Sequence, residues 1–189
     1  MRVLKSLLTT AAVAATMIGS TVQAGDMKIA LVVKALGIGF FEAAAKGAEE
    51  AAAELGGVDI IYTGPTDTTA EGQIEVINSL IAQGVDAIAI SANDPDALVP
   101  SLKKAMSRGI TVISWDSGVA AEGRQMHLNP SSNALIGNTI IKLASDHMPG
   151  GGDVAILSAS ATATNQNIWI EHMKTRMADT YPNLELVAI

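Results

Sequence analysis

The sequence predicts an α/β protein built on doubly wound parallel sheets, and three observations carry that prediction. A short β-branched apolar run followed by a longer segment with helical spacing recurs about every 25 to 30 residues, the rhythm of successive βα units. The apolar runs are near-continuous, as strands covered on both faces are. Glycines then close the helical segments at Gly56-Gly57, Gly84 and Gly109, where a left-handed residue suits a helix end.

The elements follow in order. A strand at Ile29–Val33 runs into Lys34, a turn bearing Gly37 and Gly39, and a helix with the stripe Phe41, Ala44, Ala45, Ala48, Ala52 and Leu55. The second strand is Val58–Tyr62, and its helix starts near Thr69, burying Ile74, Ile77, Leu80 and Ile81. A third strand at Ala87–Ile90 leads to the loop Ser91-Ala92-Asn93-Asp94, with Pro95 placed in the first turn of the third helix. The fourth strand, Ile110–Ser114, ends at Trp115-Asp116. Gly118–Pro130 lacks helical period and reads as an extended connection with a short strand at Gln125–Leu128. A helix from Ser131 to His147 presents Leu135, Ile136, Ile140, Leu143 and Ala144 as its apolar stripe. After Pro149-Gly150-Gly151-Gly152 come a strand at Val154–Leu157, a polar turn, a helix from about Asn165 to Thr180 and a strand at Leu184–Ile189. The second α/β unit reads as begun and not finished, so a truncated form is expected.

The first 24 residues stand apart. Arg2 and Lys5, the apolar run Leu7–Val22 and the small-residue site ending at Ala24 form the three parts of a cleaved signal peptide. The run is short of the roughly 20 residues a spanning helix needs, so a membrane-embedded protein is not expected. The chain has no cysteine, which excludes a lipid-modified cysteine anchor and a disulfide framework. Cleavage leaves ten basic residues against 19 acidic ones, a net charge of −9. That balance disfavours nucleic acid, whose phosphates demand clustered Lys and Arg. A soluble exported monomer is the simplest expectation.

Ligands of open α/β sheets bind beyond the carboxyl ends of the strands. Those ends carry Lys34, Asn93, Asp94, Asp116, Asn165, Gln166 and Asn167. Amides and carboxylates suit polyols, since a hydroxyl both donates and accepts. Phe40 and Phe41 offer rings for the apolar face of the same ligand. Each residue also has a plainer reading: Phe41 as core, Asp116 as a turn cap, Lys34 as its ion-pair partner, Asn165 as a helix N-cap.

Catalytic signatures are weaker. Gly37-Ile38-Gly39 imitates a dinucleotide fingerprint, but Glu42 replaces its third glycine and no acidic residue ends the second strand. There is no P-loop and no Gly-x-Ser-x-Gly elbow, and His127, His147 and His172 are scattered. No enzyme, cofactor or metal site is expected. A repressor would need a helix-turn-helix head where the signal peptide stands.

The runs KIALVVKALGIGFFEAAAKGAEEAA and INSLIAQGVDAIAISANDPDALVPSLKKAMSRGITVISWDSG, with the turn TNQNIW, resemble the type I periplasmic sugar-binding proteins of bacterial ABC importers. The resemblance is strongest to the rhamnose-binding proteins, with the autoinducer-two-binding proteins near and the ribose-binding proteins further off. It implies two lobes closing over a sugar, an inner-membrane permease as partner and a periplasmic location. Residues 25–129 would form the N-terminal lobe and 130–189 the start of the C-terminal one, with about half of the family's length missing and no large sugar-induced melting shift. The family's pocket pattern falls on Lys34, Phe40, Phe41 and Asp116, then on Asn165 and Gln166; Trp115 and Asn93 flank it. The autoinducer-binding relatives have an aspartate in place of Asn165, which favours a neutral sugar such as rhamnose here.

Overall fold

A computed structural model of the protein describes residues 27–189. The signal peptide read at residues 1–24 lies outside the described residues. Strands β1 (Met27–Val32), β2 (Val58–Thr63), β3 (Ala87–Ile90), β4 (Thr111–Trp115) and β5 (Met126–Leu128) form one sheet in the order β2-β1-β3-β4-β5. All its pairings are parallel.

Alternation along the strands sends side chains to both faces. Ala30, Val32, Ile88, Ile90 and Val112 meet Ile77, Leu80 and Ile81 of α2 (Ala70–Gln83) and Leu102 and Ala105 of α3 (Val99–Ser107). On the other face Leu31 and Ala89 pack with Ala45 of α1 (Gly39–Leu55). Both faces are covered, which is why the strands read as unbroken apolar runs. The order also makes the first crossover turn one way and the next the other, so the chain reverses between β1 and β3.

A smaller pair of parallel strands, β6 (Gly152–Ala155) and β7 (Leu184–Ala188), packs with α4 (Asn133–His147) and α5 (Thr164–Thr180). Its core joins Ile141 to Ile170, Met173, Met177 and Leu184. Among the described residues, no helix is long and apolar enough to cross a membrane.

Four sequence expectations are corrected. Pro95 is not in a helix: Asp94 Oδ1 accepts from the Asp96 and Ala97 backbone N–H groups in a side-chain-capped turn, and α3 starts four residues later, with Pro100 in its first turn. Leu55, the last residue of α1, is exposed and does not join the buried stripe of Phe41, Ala45 and Ala52. The strand read at Val154–Leu157 starts two residues earlier, at Gly152. In α4 the expected stripe holds only in part: Ala144 packs against the core, whereas Leu135, Ile140 and Leu143 are exposed and Gly137 and Ile141 face inward. The reason is close helix contact: a Cβ on Gly137 would stand 2.6 Å from the Trp169 carbonyl oxygen and 2.7 Å from the His172 Cβ. A small residue, invisible to a hydrophobic pattern, sets which face α4 buries.

Candidate functional site

The carboxyl ends of β1, β3 and β4 converge where the chain order reverses, and the start of α5 reaches over them. Lys34 follows β1 and is buried. Its ammonium donates to Asn165 Oδ1 at 3.1 Å, and Asn165 Nδ2 donates to Asp116 Oδ1 at 2.7 Å. The other oxygen of Asp116 accepts from the Ser91 hydroxyl at 2.7 Å. The result is an alternating chain of cation, amide, carboxylate and hydroxyl, all at least nine-tenths buried. Asn165 can face only one way in it, because its oxygen also accepts from the Gln166 N–H at 2.9 Å.

Local conformation explains how these groups meet. Asp116 has φ of 56°, left-handed for a non-glycine residue, which aspartate tolerates better than most. Asn165 is not an N-cap; Ala163 holds that position and Asn165 lies inside the first turn of α5. Lys34 does not pair directly with Asp116, since the Asn165 amide stands between them. Burial pushes the Lys34 ammonium below its ordinary pKa, and the nearby Asp116 carboxylate partly offsets this.

The aromatic wall comes from α1. Phe41 is buried, whereas Phe40 is 53% exposed. Trp115 lies behind both, stacked on Phe40 at 6.2 Å and edge-on to Phe41 at 5.7 Å. The turn before α1 is tied back by Glu42, whose carboxylate accepts from the Gly37 N–H and the Tyr62 hydroxyl. The residue that spoils the dinucleotide fingerprint thus braces the loop under the rings.

Lys34, Phe40, Phe41, Asp116, Asn165 and Gln166 line one cleft of about 220 Å³. Trp169 of α5 adds a wall. Drug-sized ligands fill roughly 300–1,000 Å³, so this space suits a smaller molecule. Asn93 does not line the cleft: its Nδ2 donates to the carbonyls of Lys34 and Thr69, beneath the floor. Gln166 is half-buried, and its oxygen accepts from the Ser158 hydroxyl and the Ala159 N–H. A second cleft of about 200 Å³ lies across the Asp116–Asn165 contact, bordered by Arg124 and His127, and carries none of the aromatic residues.

Sequence reasoning missed Gln73, Ser91 and Trp169 as parts of this arrangement. Gln73 left a signal, since it lies at the head of the stripe Ile77, Leu80, Ile81, where a polar residue must have buried partners.

Residues 29–189 match the family model described as "Periplasmic binding protein domain". The chain belongs to the periplasmic-binding-protein family. An ABC transporter solute-binding protein from Clostridium phytofermentas, solved with bound L-rhamnose, is 40% identical with a TM-score of 0.82, over 87% of this chain and 51% of that one. LsrB from Clostridium saccharobutylicum, solved in complex with AI-2, is 28% identical with a TM-score of 0.79, over 84% and 51%. The D-ribose/D-allose-binding protein of Pseudomonas aeruginosa is 31% identical over 73% of this chain and 46% of its own length. The chain therefore spans about half the length of the curated relatives it matches. It has the type I periplasmic-binding-protein fold, with mixed α/β layers on parallel sheets.

Proposed function

We propose that this periplasmic binding protein receives a neutral monosaccharide, L-rhamnose or a close deoxyhexose, for a sugar ABC importer. In this reading residues 25–129 and 130–189 belong to two lobes, the leader is cleaved after Ala24, and an inner-membrane permease takes the sugar in the periplasm. The protein binds and releases as a monomer and catalyses nothing. The observation that carries the reading is the buried chain Lys34–Asn165–Asp116 beside the Phe40 and Phe41 rings. Sugar hydroxyls can enter that alternation of donors and acceptors, while the rings cover C–H groups and a deoxy sugar's methyl. The likeness to the rhamnose-bound relative supports the choice of sugar.

Calorimetry of the chain extended to the length of its relatives, against L-rhamnose, D-ribose, D-fucose and AI-2, tests it, with rhamnose expected to bind most strongly. Asp116→Ala should cost on the order of 2–5 kcal/mol of binding, the range for truncating one partner of a buried charged contact. Preference for ribose, no sugar-dependent heat, or unchanged affinity in Asp116→Ala would each sink the assignment. The likenesses to the AI-2 complex and to the D-ribose/D-allose-binding protein support a second reading, as a receptor for that signal or for a pentose such as ribose. If pocket chemistry decides between the two readings, Asn165→Asp should move preference toward AI-2.

A further inference from the structure

We propose that Gln73, buried in α2 and outside the cleft, is the positioning residue that fixes both ends of the polar chain at once. The inference rests on the cleft being the sugar site.

Gln73 is 0% exposed. Its amide nitrogen donates to the Val33 carbonyl at 3.0 Å and to the Ser91 carbonyl at 2.8 Å. Its oxygen accepts from the Asn93 N–H at 2.8 Å. Val33 immediately precedes Lys34, and Ser91 is the residue whose hydroxyl holds Asp116. Asn93 then passes the constraint on, through its amide to the Lys34 carbonyl at 2.8 Å and through its own carbonyl to the Thr162 hydroxyl at 2.7 Å. One side chain therefore fastens the ends of β1 and β3, which carry the cation and the support of the carboxylate. The last backbone bond between these strands is the Ser91 N–H to the Val32 carbonyl at 2.9 Å, and Gln73 takes the Val33 and Ser91 carbonyls that lie just beyond it.

The chemistry is specific to a primary amide with two donors and one acceptor in a fixed plane. Glutamate would face two carbonyl oxygens with acceptors and bury a charge. A methionine of similar length would leave three buried backbone groups without partners, each costly. The helix can approach this closely because Gly72 precedes Gln73; a Cβ there would stand 2.7 Å from Pro65 Cβ.

The test, made in the chain extended to the length of its relatives, compares Gln73→Met and Gln73→Glu with Ile77→Val, a core change one turn along the same helix that touches no strand-end carbonyl. Gln73→Met should bind L-rhamnose about tenfold more weakly than Ile77→Val at matched loss of melting temperature. Gln73→Glu should regain affinity as pH falls, because the protonated acid recovers one donor. Side-chain amide NMR signals of Asn93 and Asn165 in the sugar-free chain should shift in both Gln73 variants and stay in place in Ile77→Val. Wild-type affinity in a folded Gln73 variant, equal loss in Ile77→Val, or an unmoved Asn93 signal would overturn the proposal. If the wild-type chain binds no sugar while the Asn93 signal moves, the sugar reading fails and the positioning role stands.

Discussion

Lys34 is the residue on which charge and burial meet. It supplies the only cation of the buried polar chain, and burial holds its pKa below the ordinary 10.5 despite the counteracting Asp116. The sign of the stability effect follows. Between the lowered folded value and 10.5 the unfolded chain carries the extra proton, so folded-state stability rises with pH across that alkaline window. Methionine at this position has no proton to exchange. The stability of wild type minus that of Lys34→Met should therefore climb with pH up to 10.5; a flat or falling difference in melting experiments would contradict the buried-ammonium assignment. The position of Lys34 was legible in the sequence, as a charge placed directly after an apolar strand. Its partner was not. That Asn165 stands between it and Asp116 depends on a contact across 131 residues, which no local pattern encodes.

Among the elements, the strands and the helices over the large sheet were legible because period and propensity agree there. Misreadings arose where a small or polar residue decides the geometry. Pro95 imitates a helix start, yet Asp94 captures the local N–H groups first. The leucines of α4 imitate a core stripe, yet Gly137 brings α4 against α5 on a different face. This gives a direct prediction for Gly137→Ala. On propensity alone the change gains roughly 0.5–1 kcal/mol of helix stability. The added methyl must instead push against the Trp169 backbone, and overpacking of that kind costs typically about 1–3 kcal/mol. A lowered denaturant midpoint is expected, and a raised one would show that the two helices have room to part.

For the whole molecule, strand order decides which side chains meet at the cleft. The reversal between β1 and β3 places Lys34 and Ser91 side by side, and neither neighbour is close in sequence. The segment Thr162–Asn165 then makes the hydrogen bonds that join the smaller sheet's half to this point, through Asn93, Gly118, Lys34 and Asp116. A bound sugar touching Lys34, Asp116 and Asn165 would bridge the same two halves. In the chain extended to the length of its relatives, hydrogen exchange should therefore slow together in residues 34–41, 91–94, 116–118 and 158–166 on adding sugar, with little change along β2. Protection confined to one half would mean the ligand does not span them. The two tryptophans of the chain bear on all such measurements. Trp115 packs against the phenyl rings with its indole N–H buried and without a protein acceptor, whereas Trp169 lines the cleft and donates to Asn133 Oδ1 at 2.8 Å. With one indole against the phenyl rings, the other lining the cleft, and different polarity around each, the chain carries its own pair of optical labels, and ultraviolet emission from unmodified protein reports on what enters beside them.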